Sequence, residues 1–163
     1  MIHVKPLSSL QRARGLALRL ALALVLAAGA ATAGAQQGPQ LKLPTTTLTA
    51  GMYLIHAELA VTTEQQEIGM MFRKSMGASD GMLFVNDEPG VRCFWMHNTL
   101  IPLSIAFIAD DGTIVNIDEM KARTDDSHCS ARPVRFALEM PQGWFAKRGL
   151  KPGFKLRGAP FGD

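Results

Sequence analysis

The pattern that most restricts this chain is a succession of short runs in which apolar and polar residues alternate, each closed by turn-forming residues. Leu103 to Ala109 alternates, Asp110-Asp111-Gly112 tolerates positive φ, and Thr113 to Met120 resumes with Val115 and Ile117 on one face. That arrangement is the signature of a β-hairpin. Comparable runs occupy Thr45 to Thr49, Met52 to Val61, Gly81 to Val85, Val91 to Met96, Val134 to Met140 and Phe154 to Arg157. In Met52 to Val61 a period of two places Ile55, Ala57, Leu59 and Val61 together, and this apolar set is expected to face inward. Asn86-Asp87-Glu88-Pro89-Gly90 has the composition of a hairpin connection, and Leu150-Lys151-Pro152-Gly153 that of a tight turn. Thr63 and Gln66 have capping-box spacing, so a short helix is expected up to Arg73, with a second around Gly143 to Arg148. The expected fold is mainly β (α+β): a small rolled antiparallel sheet or barrel of about seven short strands with two short helices. A doubly wound parallel fold needs longer crossover helices.

Ahead of this body lies a different composition. Lys5, Arg12, Arg14 and Arg19 lead into an apolar run from Leu20 to Ala31 that ends in Ala33-Gly34-Ala35, the layout of a secretory signal peptide over 1–35. The run is shorter than the roughly 20 residues of a bilayer span, so cleavage near Ala35-Gln36 and a periplasmic or secreted location are expected, with no stable membrane span afterwards. Residues 36–44 read as a flexible tether and 45–163 as a single globular domain. Of the 17 Lys and Arg residues four fall in 1–35, so 13 basic residues face 14 acidic ones in the remainder. The basic pI thus belongs largely to the leader and argues for no nucleic-acid partner.

Export gives the two cysteines a default role. Cys93 and Cys129 are the only thiols, and an even pair in an oxidising compartment is expected to close an intramolecular disulfide. Met52, Met70, Met71, Met76, Met82, Met96, Met120 and Met140, with His56, His97 and His128, could supply soft ligands for Cu(I). Methionine also fills irregular cores, and core filling is the reading adopted, with no metal and no cofactor assigned. No G-x-S-x-G, H-E-x-x-H, Walker or G-x-G-x-x-G motif is present, so no catalytic residue is named. Trp95 followed by Asn98 and Thr99 has the makings of a ligand platform, with a stacking face beside donors and acceptors. Arg73 is the candidate anion-seeking group there, and Glu58 or Glu139 would either pair with it or bind ligand.

Longer blocks carry a resemblance. Glu58-Leu59-Ala60-x-Thr62, Gln65-Gln66-x-x-Gly69-Met70-Met71-Phe72-Arg73 and Gly81-Met82-Leu83-Phe84-Val85 precede Phe94-Trp95-Met96-His97-Asn98-Thr99-x-Ile101-Pro102-Leu103. Ala106-Phe107-Ile108, Asp111-Gly112, Ala137-Leu138-Glu139-Met140, Gly143-Trp144 and Gly149-x-Lys151-Pro152-Gly153 follow. In this order they resemble the domain of unknown function 192 family across nearly the whole chain after the leader. The resemblance implies a β-rich domain of exported or envelope proteins, without an assigned activity. The chain departs from that pattern at His97, where the family usually has Lys, and at Ser104 and Phe154, where acidic residues are common.

The expected function is a non-catalytic envelope domain that binds a ligand or protein partner near Trp95 and Arg73, as a monomer. The alternatives are an enzyme of unknown reaction using Glu58, Arg73 and Glu139, and a periplasmic copper-handling protein using Met and His.

Overall fold

In a computed structural model, residues 38–162 are described; the leader and the cleavage position lie outside them. The element order is β1 (Thr45–Ala50), β2 (Tyr53–Ala60), α1 (Thr63–Ile68), β3 (Asp80–Gly90), β4 (Cys93–Phe94), β5 (Leu103–Ile108), β6 (Ile114–Met120), β7 (His128–Cys129) and β8 (Val134–Pro141), followed by a 3-10 turn at Ala146–Arg148. Six strands form one sheet in the order β1-β2-β3-β8-β5-β6, and β4 and β7 form a separate two-stranded ribbon.

The mainly β expectation holds, with corrections. The sheet is mixed rather than antiparallel, because β2 and β3 run parallel and are joined through α1, as a parallel pair requires a crossover. It is not a closed barrel. One helix and one 3-10 turn stand where two helices were expected.

Apolar cover on both faces explains the burial. All six residues of β5 are buried, which suits a central strand packed on each side. One core gathers Leu48, Ile55, Ala57, Leu83, Ala106, Ile108, Phe136, Leu138 and Phe145. The other gathers Ala60, Met70, Met82, Phe84, Met96, Ile105, Phe107 and Ala137. Successive residues of β3, β5 and β8 alternate between them, as the pleat dictates. In β2 the predicted inward set holds at Ile55 and Ala57, while Val61 lies beyond the strand and is exposed.

The Asp-Gly hairpin forms as read: β5 and β6 pair antiparallel, and Gly112 adopts φ 85°. The Asn86–Gly90 hairpin does not. Those residues continue β3, Gly90 aligns with Val134 of β8 across a register shift, and β4 pairs with β7 instead. The capping box also sits one residue earlier than predicted. Thr62, extended at φ −96° and ψ 155°, accepts from the Gln65 N–H while the Gln65 side chain accepts from the Thr62 N–H. The helix stops at Ile68 instead of reaching Arg73, since Gly69 takes φ 47° and ψ −129°. No strand forms at Phe154 to Arg157; that segment instead makes isolated bridges, Arg157 to Thr49 and Lys155 to Thr113. No helix of the described residues is long and apolar enough to cross a membrane.

Candidate functional site

Three of the predicted residues meet around one small cavity. Glu139 on β8, Thr99 in the loop before β5 and Trp95 just after β4 line a space of about 40 Å³, together with Met70, Phe84 and Phe94. An open hollow of about 360 Å³ adjoins it, bounded by Thr63, Asn86, Val91, Arg92 and Trp95. Both spaces share Gln66, Glu67, Phe84, Phe94 and Trp95 as walls. Trp95 is 54% exposed, stacks on the His97 ring at 4.9 Å, and lines the hollow. His97 Nδ1 lies 2.9 Å from an Asp125 carboxylate oxygen.

The walls are held by specific contacts. Gln66 donates from its side chain to the Val85 carbonyl at 2.7 Å, fixing α1 over the middle of β3. Phe94 sits edge-to-face on Phe84 at 4.8 Å and tilted on Phe107 at 5.9 Å. The Cys93–Cys129 disulfide joins directly opposed residues of β4 and β7 and so fastens the ribbon that carries Trp95. Both cysteines are exposed.

Glu139 is 4% exposed, and its Oε2 has no hydrogen-bond partner among the described residues. Its strand neighbours are Met82 of β3 and Ile105 of β5. Loss of hydration therefore pushes its carboxyl up to about 8, and the attraction of Arg73 offsets this only in part. Glu139 is thus predominantly a neutral acid at pH 7, able to donate.

Arg73 and Glu58 are arranged differently. The guanidinium makes a bidentate pair with Glu58, 2.7 Å on each arm, and donates to the Gln40 carbonyl at 2.9 Å. Gln40 in turn donates to the carbonyls of Gln65 and Gly69 at 2.8 Å each, holding the start of the described chain against α1. Arg73 borders a separate open hollow of about 400 Å³ with Pro39, Leu41, Phe72, Lys74 and Ser75. Asn98 lies apart from the cavity walls at φ 55°, where its backbone carbonyl accepts from the Phe72 N–H at 2.9 Å. Gln66, Phe84, Phe94 and Arg92 were not picked out by sequence as site residues; Gln66 and the Phe positions lay inside the family-like blocks, which was the one signal available.

A second polar cluster was also missed. Ser104 donates to both oxygens of Glu119 at 2.7 and 2.8 Å, and the Gly143 N–H donates to the Ser104 hydroxyl at 2.7 Å. The register of the Asp-Gly hairpin, which sets Ser104 opposite Glu119, is the signal that could have found it.

The molecule is thus a two-cored mixed-sheet α+β domain with a disulfide-fastened ribbon beside a small acidic cavity. A family model, DUF192, described as "Uncharacterized ACR", matches residues 46–158, and the chain belongs to that family. Solved structures resemble it, among them the following two. One, from Sinorhizobium meliloti 1021 and provisionally described as a transcription regulator, is 33% identical with a TM-score of 0.70, over 74% of this chain and 98% of the other. The second, a protein of unknown function from Novosphingobium aromaticivorans DSM 12444, is 33% identical with a TM-score of 0.66, over 76% and 94%. Among curated proteins nothing matches the chain.

Proposed function

We propose that the chain is an exported, non-catalytic domain that binds a small envelope ligand in the hollow beside Trp95. The observation that carries this reading is the half-exposed indole of Trp95 at a hollow of about 360 Å³. That hollow shares walls with a cavity containing the unpaired Glu139 oxygen. Concave, partly apolar sites with a few convergent polar groups are the usual form of a small-molecule site. Export is supported by the basic and apolar leader of residues 1–35 and by an exposed disulfide, which suits an oxidising compartment. Trp95, Thr99 and Glu139 are the proposed contacts, while Glu58 and Arg73 are paired with one another.

The competing readings draw less support. An enzyme built on Glu58, Arg73 and Glu139 would need the first two free, yet they satisfy one another. Copper handling would need several accessible thioethers brought together, whereas Met70, Met82, Met96 and Met120 are buried in the apolar core and the exposed Met52 stands in the turn between β1 and β2. Transcription regulation, the role named for one structural neighbour, draws no support from charge, since 13 basic residues face 14 acidic ones after the leader.

Native mass spectrometry of the protein taken from its own envelope tests the proposal. The expected mass begins near Gln36, is two hydrogens lighter than the dithiol, and carries an adduct that Trp95→Ala loses while remaining folded. A bare mass starting at Met1 would sink both export and ligand retention.

A further inference from the structure

Buried carboxyl groups normally end against a partner, because an unpaired buried polar atom costs roughly 1–3 kcal/mol. Glu139 does not: its Oε2 meets no partner, at 4% residue exposure, on the wall of a space of about 40 Å³. That volume is large enough for a single functional group, a liquid water taking about 30 Å³. Phe84, Phe94 and Trp95 wall both this space and the open hollow, so a group of a hollow-bound molecule that enters the small space has apolar rings beside it and shares that space with Glu139. We infer that the Oε2 of Glu139 reads the ligand of the Trp95 hollow, through a hydrogen bond to a carbonyl-type oxygen on a small uncharged molecule with a flat apolar body. This rests on the binding role proposed above.

The choice between an acceptor and a cation follows from the surroundings. Met82 and Ile105 flank Glu139 on β3 and β5 without charge. Glu67 of α1 lines the same space. Arg73 acts on Glu139 from the chain after α1 but is occupied by Glu58 of β2. His97, three residues past the end of β4, is engaged by Asp125. A ligand ammonium would need the ionised form that burial opposes, whereas a carbonyl oxygen needs the protonated form that burial maintains.

Benzamide and benzylamine share a ring and differ in this respect, and each can be titrated into the full mature chain while the Trp95 indole N–H resonance is followed. Benzamide is expected to shift that resonance, with affinity falling about tenfold per pH unit above about pH 8. Glu139→Gln, which keeps a donor that does not titrate, should bind benzamide with no pH dependence, and Glu139→Leu should lose about tenfold or more. Benzamide binding at Trp95 that ignores pH and both substitutions would overturn the role of Glu139 alone. So would benzylamine binding that strengthens between pH 6 and pH 9. If neither probe moves the Trp95 resonance, this inference and the binding role fail together.

Discussion

A carboxyl group sealed into a sheet face between Met82 and Ile105 keeps its proton at a pH where the unfolded chain has released it. From the ordinary value of 4.5 to about 8, folding therefore takes up a proton, and stability declines as pH rises through that window before levelling off. Glu139 should account for about 3 to 5 kcal/mol of loss between pH 4 and pH 9, an order-of-magnitude figure from its pKa displacement. Urea unfolding midpoints across that range should show the decline in the wild type and a shallower curve in Glu139→Gln; parallel curves would mean the group is hydrated in solution. The sequence named Glu139, with Glu58, as a candidate either to pair with Arg73 or to bind ligand. It could not tell pairing from isolation, because whether Arg73 reaches Glu58 or Glu139 depends on where the chain after α1 turns. That turn is set by Gly69 at φ 47° and by Phe72 at φ 63°, whose N–H is taken by the Asn98 carbonyl. Neither constraint is local to the acids.

The elements divide into those whose pairing is decided next door and those decided far along the chain. The β5–β6 hairpin was legible because Asp111 organises its own turn: the Thr113 N–H and hydroxyl donate to the Asp111 carboxylate at 3.0 and 2.8 Å. These hydrogen bonds hold that carboxylate below its ordinary range. Asn86 to Gly90 has an equally turn-like composition and was misread for a physical reason. Asn86 donates from its side chain to the Arg135 carbonyl at 2.9 Å, and Arg135 returns a donor to the Asn86 carbonyl at 3.0 Å, an exchange with a partner 49 positions away that no local pattern encodes. The disulfide was legible because only two cysteines exist and export favours their union; its exposure was not. The β4–β7 ribbon has only two residues per strand, too few to persist by backbone pairing alone, so the covalent link should carry much of its order. Replacing Cys93 and Cys129 together by Ser should cost about 4 kcal/mol in the chain-entropy treatment for a separation of 36 residues. The ribbon should loosen first, so Trp95 fluorescence should change at lower denaturant than the far-ultraviolet signal of the sheet. Coincident transitions with an unchanged midpoint would show that the ribbon stands without its bond.

At the scale of the molecule, the segment after Gly153 works as a clasp on an open sheet. The edge strands β1 and β6 lie at opposite ends of the strand order, and unpaired edges invite pairing with other chains. Arg157 exchanges both backbone hydrogen bonds with Thr49 on β1, at 2.9 and 3.0 Å, while the Ile114 N–H at the start of β6 donates to the Phe154 carbonyl at 2.9 Å. Between these points Leu156 is fully buried in the first core, and Phe161 packs edge-to-face on Phe136 at 5.1 Å. A few residues therefore tie both edges through one apolar plug. Gly158 permits the path: it holds φ 112°, and a Cβ there would stand 2.7 Å from the Thr47 carbonyl oxygen, a conformation and an approach that only glycine accepts readily. Gly158→Val should force the segment off β1 and destabilise the protein by about 2 to 4 kcal/mol. If the segment acts as a unit, the amides of Thr49 and Ile114 should lose hydrogen-exchange protection together, although they sit on opposite edges, while those at the β3–β8 centre stay protected. Size-exclusion chromatography should then show self-association through the opened edge. Loss of protection at Thr49 alone, with Ile114 unchanged, would show two independent contacts in place of a clasp.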